Sequence, residues 1–393
     1  MEEWGLLRDL AIALIVALGA GVVSLRLKQP VLVGYLIGGM LIGPHGLGII
    51  TDEVSIGNLA SVGVIMLMFA LGVEFSLAQF RSIRWVALVG GSLFIVATTL
   101  LGAGVMELTG HTLGFDVLMG FILALSSTII VMRLLLDRQE IGSVHGRVML
   151  GWLILQDLAV VPMLVLLPFL TESGGGVGWP MAMALGKVAL FLGVMYVLGT
   201  RLFPPILSRL AMMRHKEIFF LGVIGLCFGT AALSQSMGLS LALGAFLAGL
   251  VISQSDEQRQ VLAEVLPLRD LFVTLFFVSV GMLIDPVFVV ENHVLLVGLV
   301  LVIMAGKAIV GTAIGTMFGL SRRAALLVGL GLAQIGEFSF VLASEGQKLG
   351  LLNQETFSLV LSAALVTMLL TPAAMQARAS AVWNASASTN ARP

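Results

Sequence analysis

The stretch GWLILQDLAVVPMLVLLP, residues 151–168, holds a single charged residue, Asp157, with no other charge within nine positions on either side. A run of this character is close to the length of helix, about 20 residues, that crosses the hydrocarbon core of a bilayer. An ionisable group at such depth is expensive, and by default it marks an ion or proton pathway. Apolar surroundings disfavour a bare carboxylate, so the group holds either a proton or a dehydrated cation, and hardly both. That competition is the minimum chemistry of proton-coupled exchange. The plainer alternative is a carboxylate neutralised by a Lys or Arg for packing alone.

The rest of the chain agrees with a membrane setting. Of its 393 residues 59% are hydrophobic and 11% charged, and the mean hydropathy is +1.08. Soluble domains carry about a quarter of their residues as Asp, Glu, Lys or Arg. A net charge of -1 gives nucleic acid nothing to attract it. The lone cysteine, Cys227, excludes an intrachain disulfide. The histidines at 45, 111, 145, 215 and 293 are scattered, so neither a metal centre nor a cofactor is expected. No nucleophile–base spacing suggests an enzyme. The opening MEEWGLLRDL is acidic where a signal peptide would be basic, so the first apolar run reads as a retained span.

Apolar runs between charged or Gly/Pro breaks number about 13 on the bilayer criterion. They lie near 6–25, 30–43, 55–74, 85–106, 115–136, 147–170, 181–203, 217–237, 239–253, 267–284, 294–318, 323–345 and 356–376. Loop charge tests the order, because Lys and Arg collect in cytoplasmic loops. Of the 21 Lys and Arg, all but Arg8, Lys187, Lys307 and Lys348 follow odd-numbered spans or the last one. The N-terminus is therefore expected outside and the C-terminus in the cytoplasm. Residues 377–393 read as a disordered tail, with no G-x-G-x-x-G nucleotide fold after residue 376.

A shift of 209–210 residues lays PVLVGYLIGGMLIG (30–43) over SLALGAFLAGLVIS (240–253) and GFILALSST (120–128) over GLGLAQIGE (329–337). It also lays Pro162 over Pro372. The shift moves the chain by an odd number of spans, which predicts an inverted-topology repeat: about 6–170, a linking helix at 181–203, then 217–376. Paired interruptions in the two halves of a transporter point to its binding site. Here they are ALSSTII (124–130), with Ser126, Ser127 and Thr128, and AQIGEFSF (333–340), with Glu337. Gln156 adds a neutral oxygen beside Asp157. Lys307 and Glu337, both central in spans, are candidate charge partners, and Lys307 is expected to pair with Asp157 or with Glu337. Glu74, near a helix end, reads as a snorkelling or capping residue.

The segments LMFALGVEFSL (67–77), ALSSTIIVMRLL (124–135), GWLILQDLAVVP (151–162), LPLRDLFVTLFFVSVGMLIDP (266–286) and LAQIGEFSFVLA (332–343) resemble the membrane domain of the bacterial cation:proton antiporter-2 family, especially its Kef-type potassium branch. The resemblance covers about residues 6–376. It implies an all-α membrane protein of thirteen helices with two crossed broken helices, spans 5 and 12, beside Asp157. Spans 1–3 and 8–10 then form a homodimer domain, and the remaining core carries ions. It further implies exchange of potassium for protons across the bacterial inner membrane. Potassium would sit at Asp157, with Gln156, Ser126, Ser127 and Thr128 as further oxygen ligands. In relatives with a second acid before the aspartate, exchange is usually of sodium and electrogenic. The glutamine here resembles the potassium branch. The alternatives are sodium at the same site, or a gated potassium conduit. The full-length Kef pattern has a nucleotide-binding regulatory domain that these 393 residues do not contain, which leaves room for a separate regulatory subunit.

Overall fold

The computed structural model describes residues 2–27, 29–74, 85–108, 110–171 and 178–389. The arginines at 81 and 84, the glycines at 174–176 and the side chain at 384 lie outside what is described. The first half runs through α1 (Glu2–Arg26), α2 (Val31–Ile42), α3 (Glu53–Glu74), α4 (Trp85–Glu107), α5 (Leu113–Ala124), α6 (Thr128–Asp137) and α7 (Val144–Leu166). A link follows, α8 (Gly178–Val197) and α9 (Phe203–Met212), joined through a π turn at Leu198–Leu202. The second half comprises α10 (Lys216–Ser236), α11 (Leu241–Ile252), α12 (Gln258–Met282), α13 (Pro286–Glu291), α14 (His293–Met317), α15 (Arg322–Gly331), α16 (Phe338–Lys348) and α17 (Gln354–Thr389).

The described residues form helices and connecting turns, as the hydropathy pattern requires. Nine helical rods among them are long and apolar enough to cross a membrane. The other expected spans are accounted for differently. Helices α2 and α11 have 12 residues each, about 18 Å at 1.5 Å per residue. Helix α12, with Arg269 and Asp270 in its length, and the interrupted pair α15 and α16 make up the rest. Helix α12 starts at Gln258, well before the 267 read from hydropathy. Helix α17 continues to Thr389.

The repeat proposed from sequence has a physical counterpart. Gly34 lies against the carbonyl of Ala20 and the side chain of Ser24, and Gly244 lies against the carbonyl of Thr230 and Ser234. All three pairs of positions are 210 apart. Gly39 of α2 meets Val278 and Gly281 of α12, while Gly249 of α11 meets Phe69 and Gly72 of α3. Positions 278 and 281 are 209 beyond 69 and 72. Each half thus contributes its short helix to the other half's long one, the exchange expected about a pseudo-twofold axis. A side chain at any of these glycines would strike a neighbouring backbone, so small residues set the helix spacing.

Two bodies result. Helices α1–α3 pack with α10–α12, and α4–α7 pack with α14–α17, with sparser contact between the groups. The second body is held by a core in which the rings of Phe94 and Trp152 meet at a tilt, 5.4 Å apart. Phe277 of α12 meets Phe340 of α16 edge-on at 5.6 Å across the boundary. The site lies at this boundary.

Candidate functional site: a crossing of two broken helices

Helix α5 stops at Ala124 because the next residues are extended, with Leu125 at φ -85° and ψ 142°. Helix α6 restarts at Thr128, where the Ser127 side chain accepts from the amide of Ile130 at 3.3 Å. Helix α15 ends at Gly331, and α16 restarts at Phe338. The two gaps face each other. The Gly336 amide donates to Leu125 O at 3.1 Å. Ser126 Oγ donates to Leu332 O at 2.9 Å, and Ser339 Oγ to Ile122 O at 2.7 Å. Unwound backbone in a membrane survives only if its polar groups find such partners.

The crossing helices supply the rest. From α7, Gln156 Oε1 accepts from the amide of Ser126 at 2.6 Å. From α17, Thr367 Oγ1 accepts from the amide of Ile335 at 3.2 Å. Ser126 and Ile335 are 209 apart, so each half caps its own break from its own crossing helix. Thr367 was not recognised from sequence, although it lies 211 positions beyond Gln156 and one residue off the repeat.

Lys307 of α14 is 1% exposed. Its Nζ donates to Leu125 O at 2.8 Å and to Gln334 O at 2.6 Å. This corrects the expected pairing: among the described residues it forms no ion pair with Asp157 or Glu337. The cation instead sits where carbonyls at the end of α5 and in the second gap would otherwise be unpaired, the charge sign that a helix C-terminus attracts. Glu337 takes the complementary post. Its carboxyl group is in reach of the Ser127 hydroxyl and of the Thr128 and Ile129 amides at the start of α6, while Oε2 has no hydrogen-bond partner. Two buried ionisable groups are therefore held apart at opposite helix ends.

A cavity of ≈ 470 Å³ reaches this crossing. Asp157, Thr128 and the buried Glu337 line it, as do Glu74, Arg269 and Asp270, which are more exposed. Glu74 is ion-paired to Arg269 at 2.6 Å, so it is more than a capping residue. Thr128 Oγ1 donates to Asp157 Oδ2 at 3.0 Å. Of the five ligand candidates only Asp157 and Thr128 line the cavity. Gln156, Ser126 and Ser127 are buried away from it, and their bonds above hold the crossing together. The residue types were legible, but which way each points depends on the break geometry.

Two substitutions test the architecture. A Cβ at Gly336 would lie 2.5 Å from the carbonyl carbon of Ser126, which is backbone and cannot swing aside. Gly336→Ala is expected to cost about 1–3 kcal/mol through overpacking, read as a lower melting temperature in detergent. Gln156→Leu leaves the Ser126 amide buried and unpaired, at about 1–3 kcal/mol. A melting temperature equal to that of the unaltered protein in either case would remove the assigned role.

Two repeats exchanging helices around paired, crossed interruptions define the sodium/proton-antiporter-like fold of membrane proteins. The sodium/hydrogen exchanger transmembrane family matches residues 10–376, and the chain belongs to that family. It is 38% identical over 367 residues to the putative cation/proton antiporter YbaL of Escherichia coli (strain K12), covering 91% of this chain and 66% of that one. It is 37% identical over 372 residues to K(+) efflux antiporter 4 of Arabidopsis thaliana, covering 93% of this chain and 63% of that one. The chain thus spans just under two thirds of the length of these relatives. The solved sodium proton antiporter MjNhaP1 of Methanocaldococcus jannaschii shares the fold with a TM-score of 0.63 at 14% identity, covering 95% of this chain and 97% of that one.

Proposed function

We propose that the protein exchanges potassium for protons across the bacterial inner membrane by alternating access, with Asp157 binding a proton and a cation in turn. One observation carries this reading: Asp157 lines a cavity that more exposed charges also line, yet it has no cationic partner within ion-pair distance among the described residues. A carboxyl group so placed must take a proton or a mobile cation. Lys307 and Glu337 are committed to the helix ends and position the crossing. Asp157 and Thr128 are the side chains placed to touch the ion, with Gln156, Ser126 and Ser127 holding them in place. A single exchangeable carboxyl group gives one proton for one cation, without net charge movement. The thirteen-span count, N-terminus outside and C-terminus inside, and a homodimer formed through α1–α3 and α10–α12 complete the reading. With that orientation the cavity opens to the cytoplasm.

Potassium is favoured by Gln156 before the aspartate and by the names of the Arabidopsis relatives. Sodium is the second reading, because the solved neighbour of the same fold is called a sodium proton antiporter. The test is proton movement in sealed proteoliposomes, followed with an internal pH dye while potassium or sodium is added. Potassium is expected to move protons at a rate independent of imposed voltage. A response to sodium alone transfers the assignment to sodium. Potassium flux with no proton movement replaces exchange by a gated conduit.

A further inference from the structure

A second, larger cavity, ≈ 790 Å³, lies in the body formed by α4–α7 and α14–α17, away from Asp157 and its cavity. Its walls come from the first turns of α4, α7 and α15 and from the bend between α14 and α15. Val86, Val148, Ile154, Phe318 and Leu320 make it mainly apolar, and Arg147 is its charged lining residue. Arg322 and Arg323 stand exposed between the lining residues Ser321 and Ala324. Trp85, 72% exposed, opens α4 at the same end, a placement typical of the membrane–water interface.

The groove has direction and length. Along α7 its lining runs from Val144 to Ile154, about 15 Å of helix at 1.5 Å per residue. That is roughly half the ~30 Å hydrocarbon core, or one leaflet. Arg147, Arg322 and Arg323 lie near the starts of α7 and α15, and the apolar lining continues along α7 as far as Ile154. The helix starts add partial positive charge beside these arginines.

From this we infer that the groove is a binding site for an anionic phospholipid, with its phosphate between Arg147, Arg322 and Arg323 and one acyl chain along Val148 and Ile154. Basic pockets between spans hold anionic headgroups in the same way. A free phosphate or soluble anion would use the arginines but leave the apolar lining uncovered, and a zwitterionic lipid would cover the lining without favouring the arginines. Ile154 is three residues from Asp157 on the same helix, so an occupied groove braces the helix that carries the ion site.

The test uses the full chain in detergent, titrated with phosphatidylglycerol or phosphatidylcholine, with bound lipid counted by native mass spectrometry. Phosphatidylglycerol is expected to bind more tightly. Arg147→Gln combined with Arg322→Gln and Arg323→Gln reduces that preference by about fivefold per arginine. Val148→Trp fills the groove and removes the site for either lipid. Melting temperatures near that of the unaltered protein show that both variants are folded. Equal binding of the two lipids, or an unchanged preference in the triple variant, overturns the inference. Displacement of phosphatidylglycerol by inorganic phosphate, with Val148→Trp binding lipid normally, also overturns it and leaves a soluble-anion site.

Discussion

Asparagine at position 157 is expected to abolish potassium-driven proton movement, down to that of protein-free liposomes, while leaving the fold intact. The side chains match in shape, and the Asn carbonyl can still accept from Thr128 Oγ1, which donates to Asp157 Oδ2 at 3.0 Å. What disappears is the group able to give up a proton and attract a cation. Because the wild-type carboxyl group has no ion-pair partner among the described residues, its removal leaves no orphaned opposite charge, and the cost of burying a charge is relieved. The melting temperature should therefore hold or rise. A variant that melts normally and still exchanges would displace Asp157 from the centre of the mechanism. One that loses both exchange and stability would recast Asp157 as a packing residue.

Methionine at position 307 is expected to do the reverse, with stability as the first casualty. The side chain fills similar volume, but the carbonyls of Leu125 and Gln334, bonded by Lys307 Nζ at 2.8 and 2.6 Å, lose their donor. Each buried group left unpaired costs about 1–3 kcal/mol. Together they amount to about 2–6 kcal/mol, enough for a marked drop in melting temperature and in the amount of protein that accumulates. Exchange falls because the crossing no longer holds Thr128 and Asp157 in register. A variant that melts normally but exchanges with a changed dependence on voltage would show that Lys307 itself takes part in coupling. That outcome would overturn the positioning role.

Two features were legible before any coordinates: the membrane class and the glycine contacts that recur in both halves. Each depends on a property that neighbouring residues settle among themselves. Apolar length decides whether a segment can leave water, and glycines at a fixed offset preserve the same close contacts in both halves. Boundaries were less legible. Hydropathy began α12 at 267, whereas the helix begins at Gln258, because backbone hydrogen bonding continues past the point where residues become polar. The short helix α13 is set by Asp285, whose side chain accepts from the amides of Val287 and Phe288, a cap too brief to disturb a hydropathy window.

The partner of Lys307 was beyond the sequence for a different reason. Its two acceptors are backbone carbonyls 182 and 27 residues away, and a carbonyl carries no residue-type signature. A Lys and two acids in apolar runs suggest an ion pair, and only the arrangement of the gaps reveals that helix ends compete for those charges. The same holds for Gln156, Ser126 and Ser127. Their polarity at mid-membrane was readable, but whether they face an ion or one another depends on where two chain breaks cross. The sequence by itself determined that polar groups would be buried at the crossing. The tertiary structure decided which of them satisfy the unwound backbone and which remain free for an ion, because buried carbonyls and amides must find partners wherever the fold brings them.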